Sequence, residues 1–511
     1  MHYEMNRPSF EGESFNEVLV EQLRRTPWLL ISGAIHGLII MVLMLFARTD
    51  ELVAEPTMAE MRLDQPLPEE LMEDVEEPPE DEPEPDDTTE DVVDFSQEVD
   101  DRNEDATNEP FEDFCSADES FDCNTDLDAW SDNDAIGVGC GASSASGGRR
   151  GGRHRHRRGA PKAERVVDQS LEWLAIHQSR DGSWDSDGFM NQGDPRRGPL
   201  CDGKGNALYD VGVSGLALLC FLGAGETHTV GDHKTTVRNA LRWLRDQQDA
   251  EGCFGSRTLS NFTYNHAIAT LAMAEAYAMT KSPLLGKSTE QAVAFALRCQ
   301  NPYQAWRYGE ATGENDSSVT GWMVMALKAA RSAGIQIDDR PFEWSLNFID
   351  EMTDEETGRT GYTKRGEPPV REVGMQTEFP SSESESLTAV AITSRIFAGE
   401  DPKESRMIRL GVENLLTKKL PVWDPARGSI DMYYWYYATL AMYQYGGDSW
   451  AKWNRAMNDA IITKQRSDGN FAGSWDPKGP WGEAGGRVYS TALMTLCLEV
   501  YYRYARVFGV K

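Results

Sequence analysis

Six pairs of helical segments follow one another between about residue 163 and residue 511. In the first helix of each pair, apolar residues recur at i, i+3, i+4 and i+7, which is typical of one buried stripe. The second helix is apolar on nearly all sides, which indicates burial on both faces. The pattern predicts an all-α (α/α)6 barrel with an outer and an inner ring over residues 163–511. The first helices are predicted over 166–178, 237–248, 291–300, 342–352, 408–419 and 454–465, and the second begin near Val211, His266, Ser318, Ser386, Tyr433 and Val488.

A motif of the form Q-x-x-x-G-x-W/F recurs at the hairpin turns. Glutamine can bond the free carbonyl groups of a helix end, glycine permits a chain reversal with positive φ, and the aromatic ring covers the hairpin. The units near Met352 and Lys419 are degenerate, and one copy keeps only the two ends. The copies are Gln178-Gly182-Trp184, Gln248-Gly252-Phe254, Gln465-Gly469-Phe471 and, without the glycine, Gln300-Gln304-Trp306.

This repeat resembles the QW motif of the squalene cyclase and protein prenyltransferase superfamily, whose domains are α/α toroids, and the resemblance covers residues 163–511. It implies an enzyme that acts on an isoprenoid or another hydrophobic substrate. The Asp-x-Asp-Asp acid motif of the cyclases is not found, since the nearest string is Asp185-Ser186-Asp187-Gly188. The Asp-x-Cys zinc motif of the prenyltransferases is not found in the toroid either. The sequence therefore predicts no metal site and no cofactor.

Two rows of residues precede the small residues at which the six second helices align. The row five residues earlier contains Asp210, Asn265, Asp316 and Ser384, which are preferred N-cap types. The row four residues earlier could converge on a central cavity, although a helix start also favours Glu through the helix dipole. A cavity with these groups would suit a small molecule or a peptide. The resulting cavity candidates are His266, Asp316, Glu385, Asp431, Tyr434 and Arg487, with Tyr433 nearby.

Residues 28–47 contain no Asp, Glu, Lys or Arg. At about 1.5 Å per residue this run spans about 30 Å, the thickness of a bilayer core. Arg24 and Arg25 precede it and acidic residues follow, which predicts a cytoplasmic segment 1–27 and export of the remainder. A cleaved signal peptide is the alternative, but the preceding region is long and acidic and no A-x-A site follows. We expect a single-pass inner-membrane anchor with the toroid in the periplasm.

His36 lies near the middle of this span, and Ser32 lies one turn earlier on the same face. One interpretation is a neutral imidazole bonded to Ser32 or to a backbone carbonyl. The other is suggested by the run Arg24-Arg25-Thr26-Pro27-Trp28 followed by Ser32-x-x-x-His36-Gly37. Residues 24–50 resemble the N-terminal anchor of TonB-type energy transducers. In that family the Ser-x-x-x-His face contacts a proton-driven motor complex of the inner membrane.

Charge divides the rest of the chain. Of the net charge of −34, residues 51–140 carry −32 and residues 163–511 only −7. The acidic, Pro-rich stretch 48–136 has too little apolar area to offset the entropy of ordering and is predicted to be a disordered tether. Residues 137–162 form a Gly/Arg-rich collar expected to be flexible and to contact the tether or anionic lipid. Outside the cytoplasm, nucleic acid is not an expected partner.

Three functions remain open on the sequence. The leading hypothesis is a membrane-anchored envelope protein that presents the toroid as a binding or interaction module for an envelope ligand, with the bilayer and a proton-driven complex as partners. The second is a terpenoid cyclase-like or prenyltransferase-like enzyme. The third is a structural envelope protein. An enzyme would need a deep aromatic pocket with a strong acid or a metal, so the cavity discriminates between these hypotheses.

Overall fold

A computed structural model describes residues 148–258, 262–372 and 374–504. The predicted span 28–47 with Ser32 and His36, the predicted tether 48–136 and the first part of the collar lie outside these ranges. Their structure therefore stays a prediction. None of the helices in the described ranges combines the length and the hydrophobicity that crossing a bilayer requires.

The described ranges contain fourteen α-helices and no β-strand. The six predicted outer helices and the six predicted inner helices alternate along the chain, preceded by one extra helix and followed by another. The helices are α1 Gly148–Gly159, α2 Pro161–Ile176, α3 Asp210–Gly223, α4 Lys234–Asp246, α5 Phe262–Thr280, α6 Pro283–Cys299, α7 Ser317–Ser332, α8 Arg340–Met352, α9 Ser386–Phe397, α10 Arg406–Asn414, α11 Met432–Tyr445, α12 Gly447–Ile462, α13 Gly482–Leu498 and α14 Val500–Arg503.

The inner helices form a closed ring. Helix α3 packs on α5, and the contacts continue through α7, α9 and α11 to α13, which packs back on α3. Small residues allow this close approach: a side chain at Gly321 would collide with Val390 of the next inner helix. The predicted (α/α)6 toroid is therefore the observed architecture. In the described part of the chain it is all-helical, as the sequence predicts.

The outer helices bury one stripe each. In α4 the buried residues are Val237, Ala240, Leu241 and Leu244, spaced three, one and three apart as one face of a helix requires. Helix α3, by contrast, is buried from Val211 to Gly223 without interruption. Each outer helix packs on the inner helix that precedes it in the ring, and α2 packs on α13. The two predicted kinds of helix are thus confirmed.

Each motif glutamine bridges two outer helices. The side-chain nitrogen of Gln178 donates to Gly182 O at 2.9 Å in its own turn and to Thr236 O at 3.0 Å in α4. Gln248 and Gln300 make the equivalent pairs of bonds. The side chain of Gln465 donates to Val166 O of α2 at 2.8 Å, which joins the last outer helix to the first.

The last copy of the motif has a different register from the predicted one. Its Gln465 donates to Gly473 O at 3.0 Å, and the indole of Trp475 donates to Ile461 O at 2.9 Å, as Trp184 does to Leu174 O. The assignment of Phe471 to the aromatic position was therefore wrong. Four extra residues, 467–470, lengthen this turn. Their Asn470 holds the first loop of the toroid, because its side-chain oxygen accepts from Asp194 N at 2.9 Å and its side-chain nitrogen donates to Asp194 O at 2.9 Å.

The described part of the basic collar is helical rather than flexible, because buried carboxylates bind its arginines. Helix α1 lies at the C-terminal ends of the inner helices, where Arg149 Nη1 contacts Glu275 Oε2 of α5 at 2.8 Å. Arg503 Nη2 contacts the other oxygen of Glu275, also at 2.8 Å. Arg153 Nε and His156 Nδ1 contact the buried Glu164 at 2.9 and 2.7 Å. Helices α1 and α14 thus close this end of the barrel.

Close approach of the chain at Gly473 gives the first prediction. Gly473 has φ +101°, and a Cβ there would collide with Gln169 O of α2. Gly334 has a similar φ, +97°, but nothing lies within 4 Å of its Cβ position. Gly334→Ala should lower the free energy of unfolding by about 1–2 kcal/mol, the cost of left-handed backbone alone. Gly473→Ala should cost more, because α2 must move.

Urea unfolding of both variants followed by circular dichroism measures this difference. The two variants share the substitution and the backbone conformation, so the difference isolates the contact with α2. Equal losses at both positions would contradict a tight seam between the last turn and the first outer helix.

Candidate functional site

A cavity of about 400 Å³ lies at the end of the barrel where the inner helices begin. All six inner helices contribute to its wall, and the loops that precede them contribute the rest. The volume is within the range of about 300–1,000 Å³ that is usual for ligand pockets. From the helices the lining is Gly212, Val213, Leu216, Tyr264, Asn265, Ile268, Ser318, Trp322, Ser386, Leu387, Tyr433, Ala484, Gly485 and Tyr489; from the loops it is Tyr209, Arg307, Tyr308, Tyr362, Val370, Arg371, Glu372 and Trp481.

Aromatic side chains supply eight of the twenty-two lining residues. The Trp322 ring lies 6.5 Å from that of Tyr433, and the rings of Tyr264 and Tyr308 lie 5.9 Å apart. Their phenols are mostly paired: the Tyr433 hydroxyl lies 2.7 Å from Ser318 Oγ, and those of Tyr308 and Tyr362 lie 2.7 Å apart. Because the hydroxyls satisfy one another, the rings present largely apolar surface to the cavity.

One corner of the cavity is polar. The guanidinium of Arg307 lies over the rings of Tyr308 and Tyr362, at 5.5 and 5.7 Å from their centroids. Its Nε lies 3.9 Å from Oδ2 of Asp316, too far for a hydrogen bond. Within the described ranges neither of these two buried atoms has a hydrogen-bond partner. We call Arg307, Asp316, Tyr308 and Tyr362 the polar corner.

Asp316 is a buried carboxyl directly behind this lining. Its Oδ1 accepts from Val319 N at 2.8 Å and so caps α7, which confirms the predicted capping role. Burial raises the pKa of Asp316 to about 7, although the Val319 amide and Arg307 partly offset the effect. At neutral pH the carboxyl therefore exchanges a proton with little free-energy cost. Asp316 does not itself line the cavity.

Arg371 lines the cavity but is already neutralised. Its Nη1 lies 3.1 Å from Asp431 Oδ2, and both side chains are buried. Asp431 also accepts from Ser384 Oγ at 2.8 Å and caps α11 through Tyr434 N at 3.0 Å. The predicted cavity residue Asp431 thus lies behind the lining and fixes Arg371.

His266 is a structural residue and not a cavity group. Its Nδ1 accepts from Phe254 N at 3.1 Å, so its Nε2 donates to Ala292 O, also at 3.1 Å. Burial lowers the pKa of His266 to about 3, so the ring stays neutral. In other units a hydroxyl takes this place: Ser214 Oγ accepts the equivalent amide, that of Trp184, at 2.8 Å.

The other three candidates also lie away from the cavity, so the prediction that they line it was wrong. Arg359 Nε donates to Glu385 Oε2 at 3.1 Å, in an ion pair outside the lining. The hydroxyl of Tyr434 donates to Lys419 O at 2.9 Å. Arg487 is buried against Asp202 and Asp476, with the Asp476 contact at 2.9 Å.

The reason is the rotation of the inner helices. Positions two before the aligned small residue line the cavity in α3, α5, α9 and α13, and positions one after it do so in α3 and α7, as Val213 and Leu216 do around Gly215. The predicted row lies four residues before the small residue, so it is two positions from the first of these and five positions from the second. At about 100° per residue, the row therefore lies on the opposite side of the helix. The residues of this predicted row therefore face the hairpin turns instead of the cavity.

The predicted row of N-caps is confirmed only at Asp316. Asp210 is the first residue of α3, and its Oδ1 accepts from Ser186 N at 2.8 Å. Asn265 lies inside α5, where its side chain accepts from Gly212 N at 3.1 Å and donates to Leu208 O at 2.7 Å. Ser384 donates to Asp431 and caps no helix.

Several lining residues were missed by the sequence reasoning, which proposed only Tyr433. Trp322 and Leu216 each follow the small residue of their helix, so the repeat register contained a signal for them. Arg307 and Tyr362 lie in loops, and no periodicity marks them. No cluster of potential metal ligands occurs among the residues that the structure describes.

Comparison with known proteins agrees with the fold. Residues 153–368 match the family model of the squalene-hopene cyclase C-terminal domain. The architecture is thus a squalene cyclase-like α/α toroid, as the repeat motif predicts. No curated protein matches the chain significantly.

The solved structures that the chain matches include proteins of different activities. An α-amylase from Clostridium perfringens is 14% identical, with a TM-score of 0.43 over 66% of this chain and 98% of its own. An inactive α-1,6-mannanase variant from Salegentibacter is 12% identical, with a TM-score of 0.45 and coverages of 66% and 98%. A type II terpene cyclase from Scytonema is 14% identical, with a TM-score of 0.42 and coverages of 66% and 97%.

The buried carboxyl of Asp316 gives a prediction about pH. Because its pKa is raised from 3.8 to about 7 in the folded chain, ionisation disfavours the fold. Its contribution to stability is full below about pH 4 and is lost as the pH rises to about 7. The free energy of unfolding of the wild type should therefore fall between pH 5 and pH 8, and that of Asp316→Asn should fall by about 3 kcal/mol less over the same range.

Asparagine keeps the helix cap, so the variant should still fold. Urea unfolding at pH 5 and pH 8 gives the comparison, and Asp338→Asn, which removes an exposed carboxylate, is the control. A wild-type pH dependence that survives in Asp316→Asn would show that this carboxyl is ionised normally in the fold.

Proposed function

We propose that the toroid is a binding module that takes a largely apolar small ligand into the cavity at the open end of the barrel. The observation that carries this proposal is the cavity itself, whose largely apolar wall includes eight aromatic side chains and receives residues from all six inner helices. Most ligand sites have this character, a concave apolar surface with a few polar groups that fix orientation. The polar corner supplies such groups.

The two ends of the barrel differ in a way that supports entry from one side. At the rim of the cavity, Leu208 is 45% exposed and Val370 is 42% exposed. Exposed aliphatic side chains beside an apolar cavity favour the approach of a hydrophobic ligand. At the other end, α1 and α14 cover the inner helices, and Glu275 is fully buried there. The ligand therefore enters at the end where the inner helices begin.

We further propose that residues 28–47 anchor the toroid to the inner membrane and that the acidic tether presents it in the periplasm. The supporting features are the uncharged run of twenty residues, Arg24 and Arg25 before it and the acidic stretch after it. The face formed by Ser32 and His36 would then contact a proton-driven complex, as the resemblance to TonB-type anchors implies.

A second candidate function is an enzyme that acts on a hydrophobic substrate. One observation favours it: Asp316 is a buried acid beside the cavity, and its pKa of about 7 suits proton transfer at neutral pH. The carboxyl is buried and does not line the cavity, so a proton would reach the ligand only after the lining beside it moves. This added step makes the binding module the leading proposal.

Photolabelling tests the binding function. The full chain in phosphatidylcholine nanodiscs is irradiated with a diazirine derivative of dodecanol, and the labelled peptides are identified by mass spectrometry. We expect labels on the cavity wall. Val213→Trp fills the cavity from α3 and should reduce this labelling by about tenfold or more, because it removes the room for the probe. Val422→Trp, at an exposed position outside the lining, is the matched control.

The same experiment separates the two candidate functions. A probe recovered unchanged supports a binding module, whereas a probe altered by the wild type but not by Asp316→Asn supports an enzyme. Labels spread over the surface, with equal yields in both tryptophan variants, would reject the cavity as a binding site.

His36→Leu tests the anchor. Leucine suits lipid better than imidazole, so the variant should insert as well as the wild type. If the face of Ser32 and His36 contacts a proton-driven complex, crosslinking to that complex should fall to background. Protease protection of the toroid in spheroplasts controls for topology. Unchanged crosslinking in a normally inserted variant would leave only a passive anchor.

A further inference from the structure

The apolar wall and the polar corner together define a ligand class. We propose that the cavity selects an amphipathic anion, an aliphatic or aromatic body with one carboxylate or phosphate group, and that Arg307 binds the anionic oxygens. This inference rests on the proposed binding function and names the ligand class of the same site.

Arg307 is the cation of the lining that can accept such a group, because its own ion pairs are weak. Its ion-pair partner Glu314, at 3.1 Å, is 69% exposed, so water screens this pair and it contributes little. Its Nε makes no hydrogen bond in the described residues, and its side chain is 27% exposed. An incoming carboxylate or phosphate would therefore gain a charge-assisted bond without breaking a buried hydrogen bond, because the buried Asp316 Oδ2 lies 3.9 Å from Nε.

Arg371 does not compete for this role. It is buried and holds Asp431 at 3.1 Å, and its Nε donates to Phe379 O at 2.9 Å. Moving it toward a ligand would leave a buried carboxylate unpaired, which is costly. The lining acid Glu372 is exposed and therefore solvated. The positive potential in the cavity thus comes from Arg307.

The surroundings of Arg307 also favour an anion. The rings of Tyr308 and Tyr362 flank the guanidinium and fix its plane. Helix α7 begins one residue after Asp316, so the positive end of its dipole lies at this end of the barrel, although Tyr362 O and Asp316 Oδ1 already accept from the Ser317 and Val319 amides. Below about pH 7 Asp316 carries a proton and does not neutralise Arg307.

The wall opposite the polar corner determines the chemical character of the ligand body. Val213, Leu216, Ile268 and Leu387 contribute aliphatic surface, and Trp322 adds a broad ring. A ligand body with many polar groups would lack hydrogen-bond partners against this wall, which excludes a sugar-like body. A ligand with a single charged end and an apolar remainder satisfies both regions.

Head-group preference tests the proposal. The full chain in phosphatidylcholine nanodiscs at pH 6 is photolabelled with diazirine derivatives of laurate and of dodecanol, which share one chain and differ in charge. Labelling of the cavity peptides is followed as a function of the concentration of probe in the nanodisc membrane. We expect half-maximal labelling at a concentration about tenfold lower for the laurate probe, the factor that one charge-assisted hydrogen bond contributes.

Variants assign this preference to a residue. Arg307→Gln should abolish the preference while the dodecanol probe still labels the cavity, and Arg307→Lys should retain part of it. Arg298→Gln is the matched control, because Arg298 also stacks on a ring, that of Phe295, but lies outside the cavity. Unlabelled laurate and dodecyl phosphate should both compete, and the stronger competitor identifies carboxylate or phosphate; dodecylammonium should not.

The outcomes separate the two proposals. Equal labelling of the cavity by both probes overturns the anion preference but leaves the binding function standing. Failure of both probes to label the cavity overturns the binding function. A preference that survives in Arg307→Gln, with an unfolding midpoint like that of the wild type, rejects Arg307 as the anion-binding group.

Discussion

The structure depends on the double hydrogen bond that each motif glutamine makes around the outer ring. One side-chain nitrogen bonds the glutamine's own turn and the next outer helix, and at Gln465 this contact reaches Val166, about three hundred residues away. Each bond contributes only about 0.5–1.5 kcal/mol. Their importance is geometric, because a ring that closes fixes where the six inner helices begin. The first turns of those six helices supply much of the cavity wall, so their positions determine its shape.

The sequence predicts the rings well and the cavity poorly, for one physical reason. An outer helix has a polar and an apolar side, so α4 shows in its own residues which face is buried. An inner helix such as α11 is buried throughout, and nothing in its composition distinguishes the cavity from the neighbouring helix. The row containing Glu385 and Arg487 was therefore placed on the wrong side. The capping position of Asp316, a local feature, was predicted correctly.

Long-range charge pairing was equally inaccessible from the sequence. The toroid looks electrically ordinary, yet Glu275 is paired with Arg149 and Arg503, which are 126 and 228 residues away. Burial raises the pKa of Glu499 well above its usual range, and neither of its oxygens has a hydrogen-bond partner in the described residues. The glycine-rich composition of residues 137–162 predicted a flexible collar. Desolvated carboxylates reversed that expectation.

Helix α1 has a mechanical consequence. It is the part of the described fold that continues directly into the preceding chain, so a load along that chain would reach the toroid first at α1. With four glycines it resists little by itself. The resistance comes from the pairs around Glu275 and Glu164, and extracting Arg149 would leave a buried carboxylate with one partner fewer. Such a joint would yield at a threshold rather than gradually, because these buried ion pairs must break before α1 can separate from the inner helix α5.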